Sequence, residues 1–341
     1  MKNLSVDERI CPHTGRTGLK RYVPKKPKNW GFKLYLLCDA EGFVYNYEMC
    51  GGEPKEDTPI GRAGEIVLRL ARIIPRHRGF RLTCDNYFTS IQLFVALDKL
   101  GIQASGTARV NRLRGVNFST DAYMKKRGRG THEAKVTSTE GTRVAAVKFH
   151  DNKSVHLIST HVGARPLTSG VRWSTKLKKT ITISVPAIVK SYNRSMGGVD
   201  RANQYVSYFR TIFRSKRWYL KLFFHLIDTV CANAWLLYRR DSSDVGIPAK
   251  RDLLFFKMEL ADGLTRAGKT ARNRGRPPKE PRGRAGPPPV HVRKDRIDHF
   301  PAFGDKKRCH RCCRTTTVTC GKCDVNLCFV RTRNCFKLFH L

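Results

Sequence analysis

"RLTCDNYFTS", residues 81–90, is a strand that runs into chemistry. Leu82 and Cys84 alternate as the buried face of a strand does. Asp85 and Asn86 follow at once, then Tyr87 and Phe88, which are expected to pack on the core. Ser90 stands where an N-cap would open the helix "SIQLFVALDKL" (90–100), and Gly101 closes it. "IQASGTARV" (102–110) is the next strand. Upstream, 61–74 sets Ile66, Leu68, Leu70 and Ile73 among small residues, a helix that Pro75 ends. "WGFKLYLLCDA" (30–40) and "GFVYNYEMCGG" (42–52) are β-rich runs joined by a tight turn at Glu41 and Gly42. "LSVDERI" (4–10) is a short strand with Asp7 near its end. The predicted order to residue 110 is β-β-β-α-β-α-β, a hairpin-first sheet followed by alternating strands and helices. That is mixed α/β.

Beyond residue 110 the pattern changes. "THEAKVTSTEGTRVAAVKFHDNKSVHLISTH" (131–161) is strand-like with turns at "TEGT" and "HDNK", so 111–185 reads as a β-rich insertion. Residues 186–262 read as helices that complete the core. One of them, 216–238, is predicted to bury Leu220, Phe223, Phe224, Ile227, Val230, Cys231, Ala234 and Trp235 on one face. The basic Pro/Gly-rich stretch 263–298 has too little apolar surface to offset ordering entropy and reads as a disordered linker. A cysteine-rich domain, 299–341, follows.

The 341 residues carry 66 Lys and Arg against 27 Asp and Glu, net +39. A surface that basic attracts polyanions, nucleic acid first and an anionic membrane second. No uninterrupted membrane-spanning run and no secretory signal are read from the sequence. Seven of the 12 cysteines lie between Cys309 and Cys335, which points to metal in a reducing compartment, not to a disulfide framework. Together these features favour the nucleus.

A phosphoryl-transfer site with two metal ions needs oxygen ligands converging from separate elements. Asp7, Asp85 and Asp200 (in "MGGVD") are the available acids; each also has a bland reading, as a solvated strand end, a turn residue or an N-cap. The segments "VDERI" (6–10), "LYLLCDA" (34–40), "LTCDNYFTS" (82–90) and "SYNRSMGGVDRANQY" (191–205), followed by the cysteine tail, occur in this order along the chain. In this the sequence resembles piggyBac transposases and their domesticated relatives over nearly its whole length.

The resemblance implies an RNase H-like catalytic core with a β-rich insertion and a small zinc-binding tail. It implies that the catalytic triad falls on Asp7, Asp85 and Asp200, with Mg²⁺ or Mn²⁺ as the metal. It implies cleavage at transposon-end DNA through a hairpin intermediate, joining at TTAA targets, and a homodimer. Two departures stand out. Asn203 occupies a position where the family often has a further Asp; its carbonyl oxygen can still reach a metal but brings no charge. Only six residues precede Asp7, whereas family members carry a long N-terminal region, so a truncated copy or a partial gene model without the full reaction is expected. The second reading is a domesticated, non-catalytic nuclear DNA-binding or chromatin-associated zinc protein.

Basic segments suit DNA phosphates. "RTIFRSKRWYLK" (210–221) supplies Arg210, Arg214, Lys216 and Arg217, with a solvated helix face as the alternative. "RGRPPK" (274–279) resembles an AT-hook core through Arg274 and Arg276, or serves as a nuclear-localisation tract. In the tail, Cys309-x-x-Cys312 and Cys320-x-x-Cys323 are paired knuckles with zinc-ligand spacing, followed by Cys328, Cys335 and His340. Two ions need eight ligands; His299 is the first choice for the eighth, with His310 and Cys313 as alternatives. The pairing of ligands is left open.

Overall fold

A computed structural model describes residues 3–24, 29–51, 58–113, 115–175, 177–215, 217–246, 248–249, 251–267 and 286–341. They fall into two compact units, Met1–Thr265 and Arg266–Leu341. Lys216, Arg274 and Arg276 lie outside the described residues.

The first unit begins β1 (Asn3–Pro12), β2 (Arg21–Tyr22), β3 (Trp30–Asp39), β4 (Val44–Met49), α1 (Gly61–Ala71), β5 (Arg81–Cys84), α2 (Ile91–Lys99) and β6 (Gln103–Ala108). It continues with α3 (Asp121–Arg127), β7 (His132–Thr139), β8 (Thr142–His150), β9 (Ser154–Ser159), β10 (Thr168–Ser174) and β11 (Lys179–Val185). The helices α4 (Ala187–Ser195), α5 (Gly198–Ser207), α6 (Trp218–Asp244) and α7 (Leu253–Arg266) close it. Asp7 sits in mid-strand, because β1 extends to Pro12 against β3.

The main sheet runs β2-β3-β1-β5-β6-β9-β8-β7, with β4 also on β3. Pairing is antiparallel for β3 on β1 and parallel for β1, β5 and β6, then antiparallel again out to β7. The strands of the β-rich segment thus extend the core sheet, while β10 and β11 form a separate hairpin. Helices cover both faces, so β3 buries residues on both sides. Tyr35 and Leu37 meet Val67, Leu70 and Phe94 from α1 and α2. Leu34, Leu36 and Cys38 meet Val199 and Ala202 of α5 and Trp218 of α6.

The expected face of α6 is only partly inward: Trp235 is buried and Leu220, Phe224, Cys231 and Ala234 are half-buried, but Phe223, Ile227 and Val230 are exposed. Phe223 is 55% exposed and Val230 62%, and the buried side carries His225, Asp228, Thr229, Ala232, Trp235 and Leu236. Polar partners from distant segments draw that side inward. Arg9 of β1 donates to Thr229 Oγ1 (3.3 Å); Asp228 accepts from Thr211 N, Thr211 Oγ1 and Lys257 Nζ, each at 3.0 Å. Asn233 brackets Val44, accepting from its N–H and donating to its carbonyl. By length and composition alone α6 is long and apolar enough to cross a membrane, contrary to the sequence reading. Its buried polar side is nevertheless engaged by the sheet and α7.

The second unit contains α8 (Val290–Arg293), a sheet of β12 (Pro301–Arg308), β13 (Thr315–Cys320) and β14 (Val325–Asn326), a hairpin of β15 (Phe329–Val330) and β16 (Arg333–Asn334), and α9 (Cys335–His340). Its core is made of cysteines with Val318, Val325, Leu327, Phe336 and Phe339.

Candidate active site and metal clusters

The parallel register pairs Ser5 with Thr83 and Val6 with Cys84, and Thr83 with Ser105 and Cys84 with Gly106. One residue beyond the last ladder pairs stand Asp7, Asp85 and Thr107, a row at the end of the ladder in which Thr107 Oγ1 reaches Asp85 Oδ1 at 3.3 Å. The side-chain period of two puts this row on the same face as Ser5, Thr83 and Ser105. That face is roofed by α4 and α5.

Gly198 seats α5. A Cβ there would lie 2.1 Å from the Asp39 carbonyl oxygen and 2.8 Å from Ser5 Oγ, so only glycine lets the first turn rest on β1 and β3. Arg201 Nη1 then donates to the Ala40 carbonyl (2.8 Å). Asp200 falls in the first turn of α5 and is exposed. Asn203, one turn on, keeps its Oδ1 sealed from solvent with no hydrogen-bond partner among the described residues.

Asp85 ends its strand in a tightly held turn. The N–H groups of Phe88 and Thr89 donate to its carbonyl, as does Thr89 Oγ1. Its Oδ1 accepts from Asn86 N (2.5 Å) and Thr107 Oγ1 (3.3 Å). Arg112 Nη1 donates to the carbonyls of Asn86 (3.2 Å), Tyr87 (2.9 Å) and Thr89 (2.8 Å), clamping the turn from outside. Phe88 is buried and Tyr87 packs against Tyr35 and Phe88, as expected of core aromatics. Tyr192 of α4 reaches Thr107 Oγ1 at 3.5 Å. Burial, and then the charges of Asp85 and Asp7, leave the Tyr192 phenol pushed up to about 12, so it is protonated at neutral pH.

Asp7 lies in β1 and Asp85 just past the end of the neighbouring β5, and α5, which carries the exposed Asp200 in its first turn, packs on β1 and β3. The three aspartates are not packed as a closed cluster: among the described residues, the sets whose ligand atoms lie within 4.8 Å of one another are both in the tail. An open set of carboxylates with a sealed, unpartnered amide oxygen fits a hard cation that takes its remaining ligands from water or phosphate. Of the basic residues, Arg214 and Arg217 are exposed beside α6, while Arg210 is half-buried and its charge acts on Arg9 and His225. Sequence reasoning missed Thr107, Arg112 and Tyr192. The signal available for Thr107 was its two-residue spacing from Ser105, on the polar side of β6.

In the tail one set is Cys309, Cys312, Cys328 and Cys335, and the other is His299, Cys320, Cys323 and His340. The pairing crosses over in sequence, and His299 completes the second set. Cys312 and Cys328 Sγ stand 3.5 Å apart, far beyond a disulfide bond and close to the ~3.8 Å between thiolates on a tetrahedral zinc. His299 Nδ1 lies 3.4 Å from Cys320 Sγ and Cys323 Sγ, and His340 Nε2 3.5 Å from Cys323 Sγ. The opposite ring nitrogens are held by oxygen, His299 Nε2 at Asp295 and Val292, His340 Nδ1 at the Phe336 carbonyl. Such outer hydrogen bonds fix tautomer and ring orientation for a metal ligand. Cys313 is exposed and belongs to neither set.

The family described as Transposase IS4 matches residues 1–235. Human PiggyBac transposable element-derived protein 3 is 31% identical over 331 residues, covering 95% of this chain and 53% of that protein. Human PiggyBac transposable element-derived protein 2 is 28% identical over 314 residues, covering 90% of this chain and 51% of that protein. The chain spans about half the length of these curated relatives. A cryo-EM structure of a piggyBac transposase synaptic complex with hairpin DNA shares the fold, with a TM-score of 0.62 at 21% identity, covering 98% of this chain and 70% of that one.

Proposed function

The chain belongs to the Transposase IS4 family and is of the piggyBac kind, and on that premise we propose that it is a DNA-processing protein of the metal-dependent phosphoryl-transfer class. In this reading Asp7, Asp85 and Asp200, with Asn203 Oδ1, hold Mg²⁺ or Mn²⁺. The observation that carries it is the row that sets Asp7 beside Asp85, with α5 seated by Gly198 on the same face.

Bound divalent ions supply charge stabilisation to the attacking and leaving oxygens of a phosphodiester. The chain's own residues do the rest. Asn86 N and Thr107 hold one oxygen of Asp85, and Arg112 stiffens the turn that carries it. Arg214 and Arg217, both exposed, track the DNA backbone. In the tail, two Zn²⁺ ions hold the Cys₄ and Cys₂His₂ sets. Transposon-end DNA, TTAA targets, a homodimer and a nuclear location belong to the same proposal.

Asn203 favours a second reading, a DNA-binding protein of the same descent that does not cleave, because a neutral ligand weakens the site. Nicking of supercoiled plasmid by the 341-residue chain, with Mg²⁺ or Mn²⁺, separates the two. The first reading expects metal-dependent nicked circles that disappear in Asp85→Ala. Tight, salt-sensitive DNA binding with no nicking in either protein establishes the second.

A further inference from the structure

Thr107 and Tyr192 have no part in any ligand set, yet both bear on Asp85. A carboxylate can present two oxygens. At Asp85 one of them, Oδ1, already accepts from Asn86 N at 2.5 Å and from Thr107 Oγ1 at 3.3 Å. Its Oδ2 has no hydrogen-bond partner among the described residues. Thr107 carries a single hydroxyl proton, which goes to Asp85, so in the 3.5 Å contact behind it the Tyr192 phenol is the donor. The result is a directed chain, Tyr192 to Thr107 to Asp85, running from α4 through β6 to the turn after β5.

We propose that Thr107 and Tyr192 are positioning residues that tie down one oxygen of Asp85 and thereby aim the other at the metal. The proposal rests on the reading of Asp85 as a metal ligand. Torsion about the Asp85 side chain is broad for its terminal carboxylate. Two donors on Oδ1 narrow it, and a hydroxyl polarised by a second hydroxyl is the stronger donor. Ser105, two residues earlier on the same face, instead bonds Thr83, so the adjacent rung of the ladder is a structural pair and the Thr107 rung is the one that reaches the acids.

The test is Mn²⁺ binding by electron paramagnetic resonance on the full chain with its tail zinc-loaded, with thermal melting as a check on folding. Outer-shell partners alter metal affinity by about 10–100-fold, so Thr107→Val is expected to weaken Mn²⁺ by roughly 10-fold. Thr107→Ser keeps the hydroxyl and retains wild-type affinity. Tyr192→Phe, which removes one oxygen, weakens binding less, and adding it to Thr107→Val costs nothing more. Wild-type affinity in Thr107→Val, when Asp85→Asn has lost binding, overturns the positioning role and leaves Asp85 as a ligand. Equal losses in the Ser and Val variants also overturn it. If Asp85→Asn binds Mn²⁺ like wild type, the ligand reading itself fails and this proposal goes with it.

Discussion

Asp7 and Asp85 each stand one residue beyond Val6 and Cys84, the last pair of the parallel ladder between β1 and β5. Like charges placed directly opposite in a sheet repel. Removing one of the two charges relieves that repulsion. Asp7→Asn is therefore expected to raise the metal-free melting temperature, by about 0.5–1 kcal/mol of stability, on the pattern of functional sites that trade stability for activity. Mn²⁺ should raise the melting temperature of wild type and leave the variant unmoved. A variant that melts lower than wild type in the absence of metal contradicts this account of the pair.

Gly198 separates a packing role from a flexible one. Its neighbour Gly197 has nothing within 4 Å of where a Cβ would stand, whereas at 198 the backbone oxygen of Asp39 is 2.1 Å away. Backbone cannot swing aside as a side chain can, so α5 must lift and carry Asp200 with it. Gly198→Ala is expected to cost about 1–3 kcal/mol and to abolish any metal-dependent nicking. Gly197→Ala should change neither by much, and urea unfolding of the two variants side by side decides the matter.

The hairpin-first order to residue 110, the Ser90 cap on α2 and the paired tail cysteines were all legible, because each rests on local spacing. Ser90 caps through Leu93 N, as a serine before an apolar helical run does. What the sequence hid depends on partners distant in the chain. Thr229 bonds Arg9, 220 residues away, and this contact helps turn the polar side of α6 inward against its apolar pattern. Thr107 gains its meaning from Asp85 and Tyr192, which only the assembled sheet and α4 bring to it. The tail pairing was likewise unreadable, since Cys309 and Cys312 reach past Cys320 and Cys323 to Cys328 and Cys335.

His225 should make the first unit acid-sensitive. Burial, then the charges of Arg9 and Arg210, leave its imidazole pushed down to about 2, and neither ring nitrogen has a hydrogen-bond partner among the described residues. In the unfolded chain the group titrates near ~6.5. Below that pH the unfolded state takes up a proton that the folded state refuses, so stability falls steadily as pH drops from about 6.5 towards 2, at up to ~1.4 kcal/mol per pH unit. Between pH 7 and pH 5 His225→Phe should lose about 2 kcal/mol less than wild type. All four tryptophans (Trp30, Trp173, Trp218 and Trp235) lie in the first unit, so their fluorescence reports its unfolding alone. Parallel pH dependences in the two proteins would assign the acid sensitivity elsewhere.

Metal removal should act on the second unit and spare the first. That unit's apolar core rests on Val318, Val325, Leu327, Phe336 and Phe339 among six buried or half-buried cysteines, too little to stand without its ions. Two metal equivalents per chain are expected on elemental analysis. Cys312→Ser should lose the one held with Cys309, Cys328 and Cys335, and Cys323→Ser the one held with His299, Cys320 and His340. Cys313→Ser, outside both sets, should keep two. A strong chelator should then expose the tail to proteolysis while tryptophan fluorescence stays native. A single equivalent in the wild-type chain, or two in Cys312→Ser, would show that the sets do not each hold an ion.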